Sequence, residues 1–274
     1  MMDDLAITLQ LAAALGVPVR SDELEPVFSI APELTEWSIN AVADPRGTLR
    51  IGCFTRQRAA VARAIARLAP DHLALRDALL DDDLEGLGLA LREAAPPSVR
   101  WWALAGDGDR MADKVRAAWP QHARELDELL AVTGLGTCAA VGVELSGAHR
   151  RETVYVRLRT PAAAIRVLER ARVPVSRAAN LFWSGLCGLE PGGRPWPQVW
   201  AARSAGTTSS WKFYYFARGD EVRRTDEVLI EAAGARADAW QIVRRATGEP
   251  CVQLVGLTVR EGQAPAFTVY LARR

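Results

Sequence analysis

The chain has 274 residues, 49% of them hydrophobic and 24% charged, and its 34 Lys and Arg nearly cancel its 33 Asp and Glu. That balance excludes a disordered chain and gives no overall field for holding nucleic acid or an acidic membrane surface. No apolar run is long enough to cross a bilayer as a helix, and no basic segment leads into one near residue 1, so a cytoplasmic protein is expected.

Taken in chain order, a two-stranded pattern recurs five times, each copy built of alternating or β-rich residues about a turn signal. The first pairs residues 36–43 with 49–55 around DPRG and leads into a segment of helical period, RQRAAVARAIARLAP. The second pairs 86–92 with 99–105 around AAPPS and is followed by DRMADKVRAAW. Its first strand, GLGLALREA, also suits a continued helix, and the period breaks there if it is one. The third pairs 138–145 with 153–159 around SGAHRRE, before TPAAAIRVLERAR. The fourth pairs 198–204 with 211–217 around AGTTSS, before DEVLIEAAGARADAWQIVRRA, and the fifth pairs 251–259 with 266–272 around REGQAP.

The copies start about 50–60 residues apart, within the range of repeat architectures. Each unit reads helix, strand, strand, helix. Ten antiparallel strands lose their exposed edges by closing, and helices cover the outer face. The expected fold is therefore α+β, one domain over residues 1–274, with a barrel of ten antiparallel strands inside a ring of helices. Eight strands already suffice to hold one small ligand, so ten leave a chamber.

The second strands of the hairpins carry the same two-residue offset: Arg50 with Gly52, Arg100 with Trp102, Thr153 with Tyr155, Lys212 with Tyr214, and Thr268 with Tyr270. Residues i and i+2 share a strand face. One face thus gathers Arg50, Arg100 and Lys212 with Tyr155, Tyr214 and Tyr270, and Arg157 continues the third strand. Buried cations call for an anionic partner, and a diphosphate fits. Tyrosine faces shield a cation, while their hydroxyls donate to phosphate oxygens. Such a ring suits a ligand that separates into an anion and a carbocation. In the opposite phase these side chains form a solvated surface, which fits poorly with an outer face covered by helices.

The four cysteines (Cys53, Cys138, Cys187, Cys251) are far apart in apolar stretches and read as buried free thiols. His72, His122 and His149 lack metal-ligand spacing. The run Asp81-Asp82-Asp83-Leu84-Glu85 has the look of an Asp-rich Mg²⁺ site but precedes a hairpin, and it reads as a solvated helix end.

Thr35-Glu36-Trp37-Ser38-Ile39-Asn40, followed by Leu49-Arg50-Ile51-Gly52, resembles the first hairpin of the fungal-type indole prenyltransferases of the ABBA family. Trp211-Lys212-Phe213-Tyr214-Tyr215-Phe216 is similar to that family's Lys-x-Tyr strand. The resemblance implies transfer of a prenyl group from dimethylallyl or geranyl diphosphate to an aromatic acceptor, an indole such as tryptophan or a peptide side chain. It implies that Glu36 accepts a hydrogen bond from the acceptor and takes up its proton, and that Arg50, Lys212 and Tyr214 hold the diphosphate. Arg100 and Arg157 join the diphosphate set, Tyr155 and Tyr270 shield the cation with Tyr214, and Trp102 and Trp200 are candidates for stacking on the acceptor. No cofactor is required on this reading, Mg²⁺ acting at most as a stimulant, and a monomer is expected. Thr153 and Thr268 stand where further lysines belong, a gap for Arg100 and Arg157 to fill. The chain is also compact, like bacterial members. A non-catalytic barrel binding an aromatic or phosphorylated molecule remains open, as does an open sheet of ββα units serving as a scaffold.

Overall fold

All five hairpins form, each held by the alternation that marks it in the sequence. β1 (Leu34–Asn40) pairs with β2 (Thr48–Thr55), β3 (Glu85–Arg92) with β4 (Ala95–Leu104), and β5 (Ala140–Ser146) with β6 (His149–Leu158). β7 (Gln198–Ala205) pairs with β8 (Ser210–Phe216), and β9 (Val252–Arg260) with β10 (Ala266–Ala272). Every strand is antiparallel to its sequence neighbours, and β10 returns to β1 with Tyr270 opposite Ser38, which closes the barrel. The open scaffold is thereby ruled out. The computed structural model describes residues 4–40, 48–80, 84–92, 95–105, 108–133, 137–146, 149–173, 176–189, 196–205, 210–217, 252–260 and 265–272, with single residues 225, 245 and 263. Most of the helical segment at 226–246, Cys251 and residues 81–83 lie outside them.

GLGLALREA begins as strand β3, not helix. Two turns are tighter than their sequences suggest. AAPPS is mostly strand, because β4 starts at Ala95 and tolerates prolines in its first residues. SGAHRRE is likewise taken up by β6, which pairs with β5 from His149 onward.

The helices pack outside. α1 (Asp4–Ala14) and α2 (Ser21–Phe28) precede the barrel, and α3 (Arg58–Leu68), α5 (Gly108–Ala118) and α7 (Pro161–Ala171) follow the first three hairpins. α3 buries Ala60, Val61, Ala64 and Ile65, the stripe expected of an amphipathic helix on a sheet. α7 starts where Thr160 accepts a hydrogen bond from the Ala163 amide at 3.1 Å with Pro161 in its first turn, and ends at Arg172 in a left-handed conformation (φ 48°). Short turns at Pro70–His72 and Pro120–His122 lead from α3 and α5 into second helices, α4 (Leu73–Leu79) and α6 (Ala123–Thr133), that the periodicity left unassigned.

The main core lies between barrel and helices: Trp37, Val141, Val154, Phe213 and Val269 face out from the strands against residues such as Ile7, Val61, Met111 and Leu129. Fully burying such a side chain contributes about 1.5–3 kcal/mol. A second, smaller cluster of Ala140, Trp200, Ala202, Tyr214 and Leu254 lies apart from it on the alternate residues of the strands. Glu85 corrects the reading of its acidic run as a solvated helix end. It is fully buried, gripped by Arg76 through two 2.7 Å hydrogen bonds, and accepts a third from Trp101 at 2.9 Å. A carboxylate is stable there because a bidentate guanidinium satisfies it. Cys53, Cys138 and Cys187 are buried, and burial pushes the Cys53 and Cys138 thiols up to about 12. No helix among the described residues is long and apolar enough to cross a membrane.

Candidate active site

The inward phase of the strands lines a chamber of about 180 Å³. Its wall is layered because side chains at i and i+2 stand about 6–7 Å apart along a strand. The first layer is cationic, with Arg50, Arg100, Arg151 and Lys212 contributed by β2, β4, β6 and β8. Glu144 on β5 stands among them, opposite Arg100 on one side and Arg151 on the other. Arg100 Nη2 donates to Glu144 Oε2 at 2.6 Å, Ser98 Oγ donates to Oε1 at 3.1 Å, and Arg151 Nη1 lies 3.8 Å from Oε2.

Next to it lies the aromatic layer, two residues along from the cation on β4 and β8, four along on β6, and completed from β10. Trp102, Tyr155, Tyr214 and Tyr270 line it. The ring centroids of Tyr155 and Tyr214 are 5.8 Å apart and those of Tyr214 and Tyr270 5.9 Å apart. Hydrogen bonds join Trp102 to Tyr155, Tyr155 to Tyr214, and Tyr214 to Tyr270. The rings have room because glycines face them from the first strands. A Cβ on Gly142 would stand 2.8 Å from Trp102, and one on Gly256 3.2 Å from Tyr270. Glu36 enters from β1 opposite Gly52, one inward position beyond Ser38, which faces Arg50. Beyond this layer the wall is apolar, with Leu34, Phe54, Leu104, Trp200, Phe216 and Leu254. Phe54 stacks with Trp102 at 5.7 Å and Trp200 packs on Phe216 at 4.9 Å.

Burial sets the electrostatics of each layer. It pushes the Glu36 carboxyl up to about 8, and among the described residues no hydrogen-bond donor reaches it. It also drives Lys212 well below the ordinary lysine value, helped by Arg50 and Arg100 and opposed by Glu144. Burial lowers Arg100 too, but the Glu144 carboxylate outweighs it and the net shift is upward. Glu144 shows the reverse: burial raises it, and Arg100, Arg151 and Arg50 together hold it well below the usual carboxylate range. Tyr155 is pushed up to about 12 by burial, and Tyr214 and Tyr270 rise for the same first reason, so all three are neutral phenols.

Of the residues singled out from the sequence, Glu36, Arg50, Arg100, Lys212, Tyr155, Tyr214, Tyr270, Trp102 and Trp200 all line this chamber. Arg157 does not join the cations. It is exposed, six residues and so about 20 Å along β6 from Arg151, with its guanidinium 5.8 Å from the centre of the Trp200 ring. Arg151 occupies the cation layer in its place. Arg100 is not an unpaired cation either, since Glu144 neutralises it. Neither Arg151 nor Glu144 stands out in the sequence, the first because it lies in SGAHRRE, whose composition suits a turn, the second because it lies on a first strand, outside the offset that the second strands share. The period of two along β5 (Ala140, Gly142, Glu144) carries that signal. Of the other tryptophans, Trp183 and Trp211 pack on Phe213 in the outer core.

A closed barrel of ten strands inside an outer set of helices has counterparts among solved structures. PriB, a prenyltransferase, superposes with a TM-score of 0.74 at 18% identity over 98% of this chain and 95% of that one. The fold is that of the ABBA-type aromatic prenyltransferases. The 5-dimethylallyltryptophan synthase of Streptomyces coelicolor shares the ABBA barrel with a TM-score of 0.72 at 18% identity, over 97% of this chain and 95% of its own. The 6-dimethylallyltryptophan synthase of Micromonospora olivasterospora, solved in complex with DMASPP and Trp, matches with a TM-score of 0.64 at 16% identity, over 98% and 96% of the two chains. No protein-family model matches the chain, and no curated protein matches it in sequence. The ABBA barrel is therefore kept here by strand alternation and layering more than by residue identity.

Proposed function

We propose that the chain transfers a prenyl group from an isoprenoid diphosphate, dimethylallyl or geranyl, to an aromatic acceptor, either an indole such as tryptophan or a peptide side chain, by electrophilic alkylation inside the barrel. The observation that carries this reading is the stacking, in one chamber, of a cation layer, a belt of neutral phenols and, beside the phenols, the Glu36 carboxyl. The barrels that match it support the same chemistry. PriB has been solved with L-tryptophan and dimethylallyl thiolodiphosphate, and the Micromonospora enzyme with DMASPP and Trp.

Arg50, Arg100, Arg151 and Lys212 receive the diphosphate, whose charge favours the protonated form of Lys212 against the burial that disfavours it. The C–O bond to the prenyl group breaks, and the electron pair leaves with the diphosphate, held by these cations. The allylic cation faces Tyr155, Tyr214 and Tyr270, whose ring faces attract it by roughly 0.5–2 kcal/mol each. Their neutrality matters, because a phenolate would be a competing nucleophile. The aromatic ring, positioned by Trp102 and Trp200, attacks the cation to form the new C–C or C–N bond. Glu36 accepts the indole N–H and takes the proton that leaves the ring. A carboxylate 4 Å from a developing cation stabilises it by about 4 kcal/mol at an effective dielectric of 20. The barrel wall excludes water that would quench the cation. Among the described residues no three His, Cys, Asp or Glu side chains converge, and Glu144 is engaged by guanidinium groups.

The test is product formation. Protein is incubated with dimethylallyl, geranyl and farnesyl diphosphates plus tryptophan, indole or Trp-containing peptides, and products are read by mass spectrometry. A prenylated acceptor is expected, with Glu36→Ala lowering the rate about 10²–10⁴-fold and Lys212→Ala raising the donor concentration needed. Diphosphate binding without any product would leave a carrier, and no binding would sink the reading.

A further inference from the structure

One charged group in the cation layer has no part in the transfer, the Glu144 carboxylate. It faces the chamber with 15% of its side chain exposed, and lies directly across the ladder from both Arg100 and Arg151. Its oxygens take the 2.6 Å bond from Arg100 and the 3.1 Å bond from Ser98, while Arg100 Nε is buried with no hydrogen-bond partner. Arg100 is thus half engaged, with one nitrogen held by a carboxylate and Nε beside it without a partner. A negative charge here works against the binding of a phosphate ester in the same layer, so its presence needs a reason beyond donor affinity.

The chemistry of the proposed transfer, on which this inference rests, supplies one. When the donor's C–O bond breaks, the electron pair stays on the diphosphate, which becomes more negative than the ester it came from. The prenyl cation bonds to the ring, the ring gives its proton to Glu36, and the diphosphate is left behind. A layer of four cations with no internal anion therefore holds the product more tightly than the substrate, and release is slow. We propose that Glu144 is a resident counter-anion that competes with the diphosphate for Arg100 and thereby speeds release of inorganic diphosphate. In the empty chamber it also neutralises Arg100, whose burial alone is strongly unfavourable.

Glu144→Gln keeps the shape and the hydrogen-bonding oxygen while removing the charge. Calorimetric titration with inorganic pyrophosphate and with dimethylallyl thiolodiphosphate is the measurement. E144Q is expected to bind pyrophosphate about tenfold or more tighter than wild type, to gain less for the thiolodiphosphate, and to be inhibited by pyrophosphate at correspondingly lower concentration during turnover. Its thermal midpoint should lie below wild type in buffer and rise further on adding pyrophosphate. Should E144Q not be isolated folded, Glu144→Asp, which draws the charge back by one methylene, is expected to tighten pyrophosphate binding in the same direction. Unchanged or weaker pyrophosphate binding in the folded variants would overturn the proposal and leave Glu144 as an anchor that aims Arg100. Wild-type protein that binds neither ligand would overturn this inference and the prenyl-transfer reading together, whereas wild-type turnover with untightened variants overturns this inference alone.

Discussion

Glu36 sits in the chamber with a carboxyl that burial pushes up to about 8, and this fixes the sign of two pH effects. A base must be ionised to accept a proton, so kcat/KM is expected to rise with pH and level off above about 8, reporting the free protein. Stability runs the other way. Between an unfolded value near 4.5 and the folded value near 8 the native state holds a proton that the unfolded chain has lost, so stability declines as pH rises through that window. Glu36→Gln removes the penalty. Its melting temperature should match wild type near about pH 5 and exceed it near about pH 8, by about 2–4 °C per kcal/mol regained, and an equal gap at both pH values would contradict the assignment. Lys212 has the complementary signature: its ammonium is disfavoured in the empty layer and restored by an anion, so pyrophosphate binding is expected to take up protons. Titration calorimetry in buffers of different ionisation heat reads this directly, and Lys212→Met should abolish the buffer dependence. At this scale the sequence was legible wherever a charge broke the apolar rhythm of a second strand, as at Arg50, Arg100 and Lys212. It was silent on Glu144, whose importance depends on which two strands flank β5.

At the scale of elements, the second strands supply the cations and phenols, while the first strands supply space through their glycines and the two carboxyls Glu36 and Glu144. Gly88 shows how tight the arrangement is. A Cβ there would lie 2.1 Å from the Ile51 carbonyl oxygen on β2 and 3.1 Å from the Trp102 ring. The first contact is with backbone, which has no rotamer to yield. Gly88→Ala is expected to destabilise the protein by about 1–3 kcal/mol and to disturb the Trp102 wall, measurable as a lower denaturation midpoint with weakened acceptor binding. Outside the barrel, the buried pair of Arg76 on α4 and Glu85 at the start of β3 ties a helix to a hairpin. Glu85→Ala leaves a guanidinium buried without its partner and is expected to cost about 3–5 kcal/mol while leaving the chamber chemistry of the folded fraction unchanged. The hairpins were readable because alternation and turn residues are local signals. The second helix of each pair was not, since α4 and α6 are short and their apolar positions are explained only by the neighbours they pack against.

At the scale of the whole molecule the decisive contact joins the two ends of the repeat array, β1 and β10. Closure leaves no edge free among the ten described strands, and it is what turns five amphipathic hairpins into a chamber with a dry outer core and a polar interior. A chain ending at residue 265 loses β10 and exposes the edges of β1 and β9. It is expected to aggregate, or to elute as large species in size exclusion, while a monodisperse truncated chain would show that closure is dispensable. The period of about 50–60 residues made closure foreseeable, because ten antiparallel strands in succession have only that way of hiding their edges. The depth order of the layers, with cations, then phenols and Glu36, then an apolar end, is the part of the account on which function depends. The measurement that reaches it most directly is a crystal structure with dimethylallyl thiolodiphosphate and tryptophan. Diphosphate oxygens are expected on Arg50, Arg100, Arg151 and Lys212, the prenyl carbons between Tyr155, Tyr214 and Tyr270, and the indole nitrogen on Glu36. A diphosphate seated at Arg157, or an acceptor whose ring lies out of reach of Glu36, would contradict it.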